Sequence, residues 1–319
     1  METRRHRWSA HGGLITNVTF RKSSAVNINT QVHPIERNDM TETAQDASFS
    51  TSEMMDSILS FIRSHRCYQH RVFEDWATVK PDAGTVGALF HQIQNFCAAT
   101  RPGGQFPDAL AALGLDEQSR LIQEIVESEN GHGPELAMMA GYIVNRAAGK
   151  KVVNDLVDQA AVEAKLREFS DELLGSIPGY GADGLAVQTR EAINVFNGRN
   201  DSSRQATIRN LGTAIALEMV SNNHLIPGEK HCLIDSGLYG VSIDEPEMHY
   251  LLEHYGEIGA EQQHEKNAIE AVASVLDEET APLVMEGARD FLDSLERLWD
   301  LLDSALLQSG VAKPQPSHA

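Results

Sequence analysis

The chain has 319 residues, 41% of them apolar and 23% charged, a balance that supports an ordinary buried core and excludes a wholly disordered or fibrous protein. It carries 26 basic against 46 acidic residues, a net charge of −20. Such a surface repels phosphate backbones and anionic lipid, so neither nucleic acid nor a membrane is expected as a partner. No apolar run is long enough to span a bilayer. Cys67, Cys97 and Cys232 are widely separated, without C-x-x-C spacing, which points to a reducing, cytoplasmic setting rather than a disulfide frame.

Residues 1–49 stand apart. Over residues 1–40, six Lys/Arg between Arg4 and Arg37 oppose three acidic residues (Glu2, Glu36, Asp39) in a Ser/Thr/Asn-rich context, and the segment reads as a disordered basic arm. Helical order is expected to start at Ser50, where Ser50-x-x-Glu53 has the form of a capping box and Met54, Ile58, Leu59 and Ile62 follow at helical spacing. Helical patterns recur over 86–99, 116–148 (one long or kinked helix from an Asp N-cap to Gly149), 154–174, 185–196, 203–222, 245–276 and 282–307. Pro/Gly clusters at 101–106, 177–184 and 226–228 predict turns. Period-2 alternation is nearly absent. The expectation is an all-α protein with one domain of about seven helices over 50–308 and a disordered tail over 309–319.

Gly179-x-Gly181-x-x-Gly184 fits a dinucleotide fingerprint, but a helix pattern precedes it where a strand is required, so it reads as a loop.

Three segments carry chemistry. In the first, Glu257, Glu261 and His264 fall at i, i+4, i+7, within about 60° on one helix face, and His254 lies one turn earlier on nearly the same stripe. Two carboxylates and an imidazole converging beside a helix suit a hard or borderline divalent metal; a solvated polar face is the plainer alternative. The second is Glu129-x-x-His132, an E-x-x-H pair of the kind that holds one metal in di-iron helical proteins. Gly131 and Gly133 beside it are poor helix residues, which signals close packing or a bent helix. In the third, Glu218 is the single charge in the apolar run 211–220. A buried carboxylate is costly unless paired, protonated or metal-bound, so a core Arg partner competes with a metal here.

The order of these segments resembles the heme-oxygenase-like di-iron oxidases, as do Phe73-Glu74-Asp75-Trp76 and the helix around Leu89–Phe96. The resemblance implies a seven-helix bundle, two non-heme irons, O2 and an external reductant or electron donor. It also implies a small amino-acid- or amine-derived substrate undergoing N-oxygenation or oxidative C–C cleavage, in secondary metabolism. The ligands it implies are Glu129, His132, Glu218, Glu257, Glu261 and His264. Glu261 replaces the family's usual Asp, and Glu257 stands where the family has His; His254 stays outside the core set as a substitute. Three alternatives compete. One is a heme-degrading relative using His65 or His70. Another is a thiaminase-like hydrolase using Cys97 or Cys232, and the last is a metal-free helical partner-binding protein. A homodimer is an open expectation.

Overall fold

A computed structural model describes residues 50–101, 103–256 and 259–310; the basic arm, Glu257 and most of the proposed tail lie outside them. Every regular element among the described residues is helical, as the periodicity predicts, and eleven α-helices have eight residues or more. Short helices and interruptions inside long periodic stretches raise the number above seven.

Helix α1 (Thr51–Ser64) starts at the capping box: Ser50 Oγ accepts from the Glu53 N–H, and the Glu53 carboxylate accepts from the Ser50 N–H at 2.8 Å. Next come α2 (Val72–Val79), α3 (Ala83–Thr100, capped by Asp82) and α4 (Gln105–Ala112). The 116–148 stretch is two helices, α5 (Asp116–Ser128) and α6 (His132–Ala148). Gly131 between them takes φ +105, a left-handed backbone that only glycine adopts without strain. Asp116 is the first residue of α5 rather than its cap, and Gly149 ends α6 as expected. Helices α7 (Gln159–Leu174) and α8 (Val187–Asn194) follow.

Helix α9 (Arg204–Val220), capped by Ser203, is buried on every face along 210–220, as an all-round apolar helix must be. It lies against α13 (Ala281–Gly310), the 30-residue helix that closes the chain of described elements. Gly212 and Gly287 set that approach. A Cβ on Gly212 would fall 1.9 Å from the Val284 carbonyl oxygen, and one on Gly287 would fall 1.9 Å from that of Arg209. Only residues without side chains allow the two backbones this close.

The predicted turn at 226–228 is instead helix. Chain from α9 continues through a π turn (Ser221–Leu225), α10 (Ile226–Lys230) and a second π turn (His231–Asp235). Pro227 sits in the first turn of α10, directly after the wide π turn, where its missing N–H interrupts little. The 245–276 stretch is likewise divided, into α11 (His249–His254) and α12 (Ala260–Ala273), with Gly256 at φ +88 between them. Helix α13 runs to Gly310, two residues into the expected tail.

Candidate metal centre

Four elements bring the candidate residues together. Glu129 ends α5 and His132 opens α6, so the E-x-x-H pair straddles the Gly131 break instead of sharing one helix face. Their side chains still meet, with His132 Nδ1 3.3 Å from Glu129 Oε2. Glu218 projects from α9, and Glu261 and His264 from the first two turns of α12. All but Glu129 are buried: His132, Glu218, Glu261 and His264 are between 3% and 8% exposed. Glu257 lies outside the described residues.

Glu129 is the hub. Its Oε1 is 3.5 Å from His264 Nδ1 and 3.7 Å from His254 Nε2, while Oε2 faces His132. His254 therefore belongs to the cluster, although it stands on α11 rather than one turn up the helix of Glu261. Two groups of three, each with ligand atoms within 4.8 Å of one another, share Glu129: one with His132 and His254, the other with Glu261 and His264. Glu218 Oε2 stands 3.7 Å from His264 Nδ1.

Unpaired atoms in the cluster suit a cation. The His254 Nδ1–H donates to the Tyr250 carbonyl at 2.6 Å, which leaves Nε2 as a bare lone pair aimed into the cluster. A backbone partner on the far nitrogen is the usual way a protein orients a metal-binding imidazole. His254 Nε2, both nitrogens of His264 and Oε2 of Glu261 are buried without a hydrogen-bond partner. Such atoms are costly in a protein interior unless an ion or water completes them. Imidazole and carboxylate donors together suit iron, manganese or zinc.

Charge in the cluster is divided unevenly. Burial opposes ionisation of Glu129, but the contacts from His132 and His254 and the nearby His264 outweigh it and hold the carboxyl well below its usual range. Burial, then the Glu129 charge, pushes Glu218 up to about 8. The same causes, with Glu218 added, raise Glu261 strongly. His264 falls to about 4 because burial disfavours its cation; its hydrogen bond to Glu129 raises His132. Several carboxylates thus compete for one small volume, an arrangement that a divalent cation relieves.

No guanidinium pairs with Glu218 within 4 Å among the described residues; its nearest basic atom is the His264 nitrogen. A buried arginine, Arg199, does act on it at longer range. Arg199 is 5% exposed, donates to the Thr100 carbonyl at 2.7 Å and lies 4.6 Å from the Phe196 ring centre. The context Asn197-Gly198-Arg199-Asn200 gives no sign of such burial. Glu229 on α10 also escapes sequence reading, because Pro227-Gly228 disguises its helix as a turn. It is 3% exposed, its Oε2 has no partner, and burial pushes it up to about 8.

Beside the cluster is a cavity of about 40 Å³, room for a diatomic molecule or a few waters. Phe96, Leu217, Leu225 and Ile226 give it apolar walls, and Arg101 is the one guanidinium lining it. Gly133 makes space for that head group, since a Cβ there would lie 2.9 Å from Arg101 Nη1.

The competing sites are less well equipped. Cys97 and Cys232 are buried, and burial raises both thiols, the opposite of an activated nucleophile. His65 and His70 are engaged by Asp293 and Asp300 of α13, at 3.1 and 3.2 Å. The Gly179–Gly184 loop is held by Arg190, which donates to the Gly179 carbonyl and to Asp183 Oδ1, the latter at 3.0 Å, and follows helix α7. No protein-family model matches the chain, and no curated protein matches its sequence.

Proposed function

We propose that the chain is a non-heme di-iron, O2-dependent oxidase or oxygenase of the heme-oxygenase-like kind, acting on a small amino-acid- or amine-derived substrate. One observation carries this reading: a partly buried Glu129 carboxylate within 3.3–3.7 Å of three buried imidazoles from three separate helices, with two of those imidazoles holding unpartnered nitrogens. Glu129, His132 and His254 would hold one iron, and Glu129, Glu261 and His264 the other, with Glu218 as a further carboxylate. When bound, the irons supply reductive activation of O2, using electrons from an external donor.

The chain's own residues do the rest. Glu129 joins the two halves of the cluster, its Oε1 facing His254 and His264 and its Oε2 facing His132. Tyr250 fixes the His254 ring. Phe96, Leu217, Leu225 and Ile226 form the apolar walls of the cavity and narrow it to a volume that a diatomic molecule or a few waters fill. Arg101 lines that cavity and would meet the carboxylate of an amino-acid substrate only with the cavity widened, since about 40 Å³ does not admit one, while Glu218 retains a proton at its carboxyl near neutral pH in the metal-free protein. The test is to load the protein with iron(II) anaerobically, admit air and follow O2 uptake with and without amino acids and amines. Rapid O2 consumption, faster with one substrate class, is expected. A protein that holds two irons and leaves them reduced in air overturns the proposal.

A further inference from the structure

The imidazole of His132 faces two carboxylate groups, one on each side. Nδ1 meets Glu129 of the inner cluster. Nε2 points the other way, 3.6 Å from Glu253 Oε2, and makes no hydrogen bond within 3.5 Å. Glu135, one turn along α6, completes a second group of three whose ligand atoms lie within 4.8 Å of one another. His249, one turn before Glu253 on α11, borders this group at 3.2 Å from Glu253 and 4.0 Å from Glu135, outside the three whose ligand atoms all lie within 4.8 Å of one another.

Exposure is graded across this outer group. The side chains of His249 and Glu253 are 49% and 42% exposed, Glu135 is 32%, and His132 only 10%. Oε2 of Glu135 is nevertheless a buried atom without a partner. Two carboxylates and an imidazole in this setting, with a second imidazole beside them, suit a borderline divalent cation arriving from solvent.

We propose that His132, Glu135 and Glu253, with His249 at their border, form an outer divalent-cation site through which the inner centre is loaded. The loading role rests on the inner centre proposed above; cation binding at the outer site does not. A neutral imidazole has one lone pair and one N–H. With a cation on Nε2, the Nδ1–H donates to Glu129. With a cation on Nδ1, the Nε2–H donates to Glu253. Passing from the first state to the second takes the Nδ1 proton onto Glu129 and gives Nε2 a proton from water as its cation leaves, without turning the ring. Glu129 at 3.3 Å and Glu253 at 3.6 Å stand beside the two nitrogens, so a small shift of the exposed Glu253 side chain gives either state a carboxylate partner.

Stopped-flow absorption with Co(II) alone, on the full metal-free chain, tests this. Wild type is expected to show a fast, weakly saturating phase followed by a slower one. In the double variant Glu135→Gln/Glu253→Gln, the fast phase is lost and the slow phase falls at least tenfold in rate, with its final amplitude kept. His264→Gln is expected to keep the fast phase and to lose the part of the slow one that fills its half of the inner centre. Identical kinetics in wild type and the double variant overturn the outer site and leave the inner centre standing. A fast phase with no slow phase in wild type supports the outer site and removes the inner centre. Absence of both phases overturns both.

Discussion

Glu218 and Glu229 are both buried carboxyls pushed up to about 8, but their surroundings differ. Glu218 faces His264 and the other cluster carboxylates, so its removal is expected to cost metal rather than fold. Glu218→Ala should bind less iron than wild type while keeping the helical circular-dichroism signal; normal binding of two irons would make Glu218 a purely structural group. Glu229 is raised by burial alone. Its folded pKa lies above the unfolded value, so the metal-free fold binds more protons than the unfolded chain between about pH 4.5 and 8, and stability declines as pH rises through that window. Glu229→Gln removes this penalty. Denaturant unfolding of the metal-free protein should show the variant gaining a few kcal/mol relative to wild type between pH 5 and pH 8, at about 1.4 kcal/mol per pKa unit as an upper bound. An equal difference at both pH values would mean that Glu229 is ionised and paired. His254 is the third decisive residue. With Nε2 unpartnered and Nδ1 fixed by Tyr250, His254→Gln should weaken iron binding by roughly tenfold or more. Titration beside Glu257→Ala ranks the two, and an unchanged affinity in His254→Gln would return the role to Glu257.

At the scale of the elements, starts and stops written in side chains are legible and interruptions are not. Ser50 with Glu53, Ser203 and Gly149 mark helix ends where the structure has them, because a cap is a local hydrogen bond or a local φ. The break after Glu129 is different. Glu-x-x-His spacing suits an unbroken helix, and Gly131 and Gly133 signal only a bend in it, whereas the chain breaks at Gly131, with α5 packed on α4 and α12 and α6 on α3 and α7. Glu261 and His264 were legible as a pair, whereas His254 reaches the same centre from a separate helix that periodicity had joined to theirs. Pro227 misled in the other direction, because a π turn ahead of it lets the helix continue. The contact between α9 and α13 leaves no sequence pattern beyond two isolated glycines. Since a Cβ on Gly212 would lie 1.9 Å from a backbone oxygen, Gly212→Ala should separate the helices and cost about 1–3 kcal/mol. Because α9 carries Glu218, iron affinity should fall with it. A variant as stable as wild type in urea would show that the two helices have slack.

Across the whole molecule, a chain of net charge −20 confines several carboxyls to its interior, and the cheapest way to stabilise that arrangement is a multivalent cation bound only by the folded state. All-helical packing makes such a centre buildable, since α5, α6, α9, α11 and α12 each deliver one or two ligands to a common point. Glu129 is where the two halves join, so the count of metals per chain addresses the central claim most directly. Anaerobic iron(II) loading, removal of unbound metal and measurement of iron against protein should give two irons per chain in wild type and fewer than one in Glu129→Ala. Wild-type protein that retains no iron, or a Glu129→Ala variant that retains two, would contradict the shared-carboxylate centre.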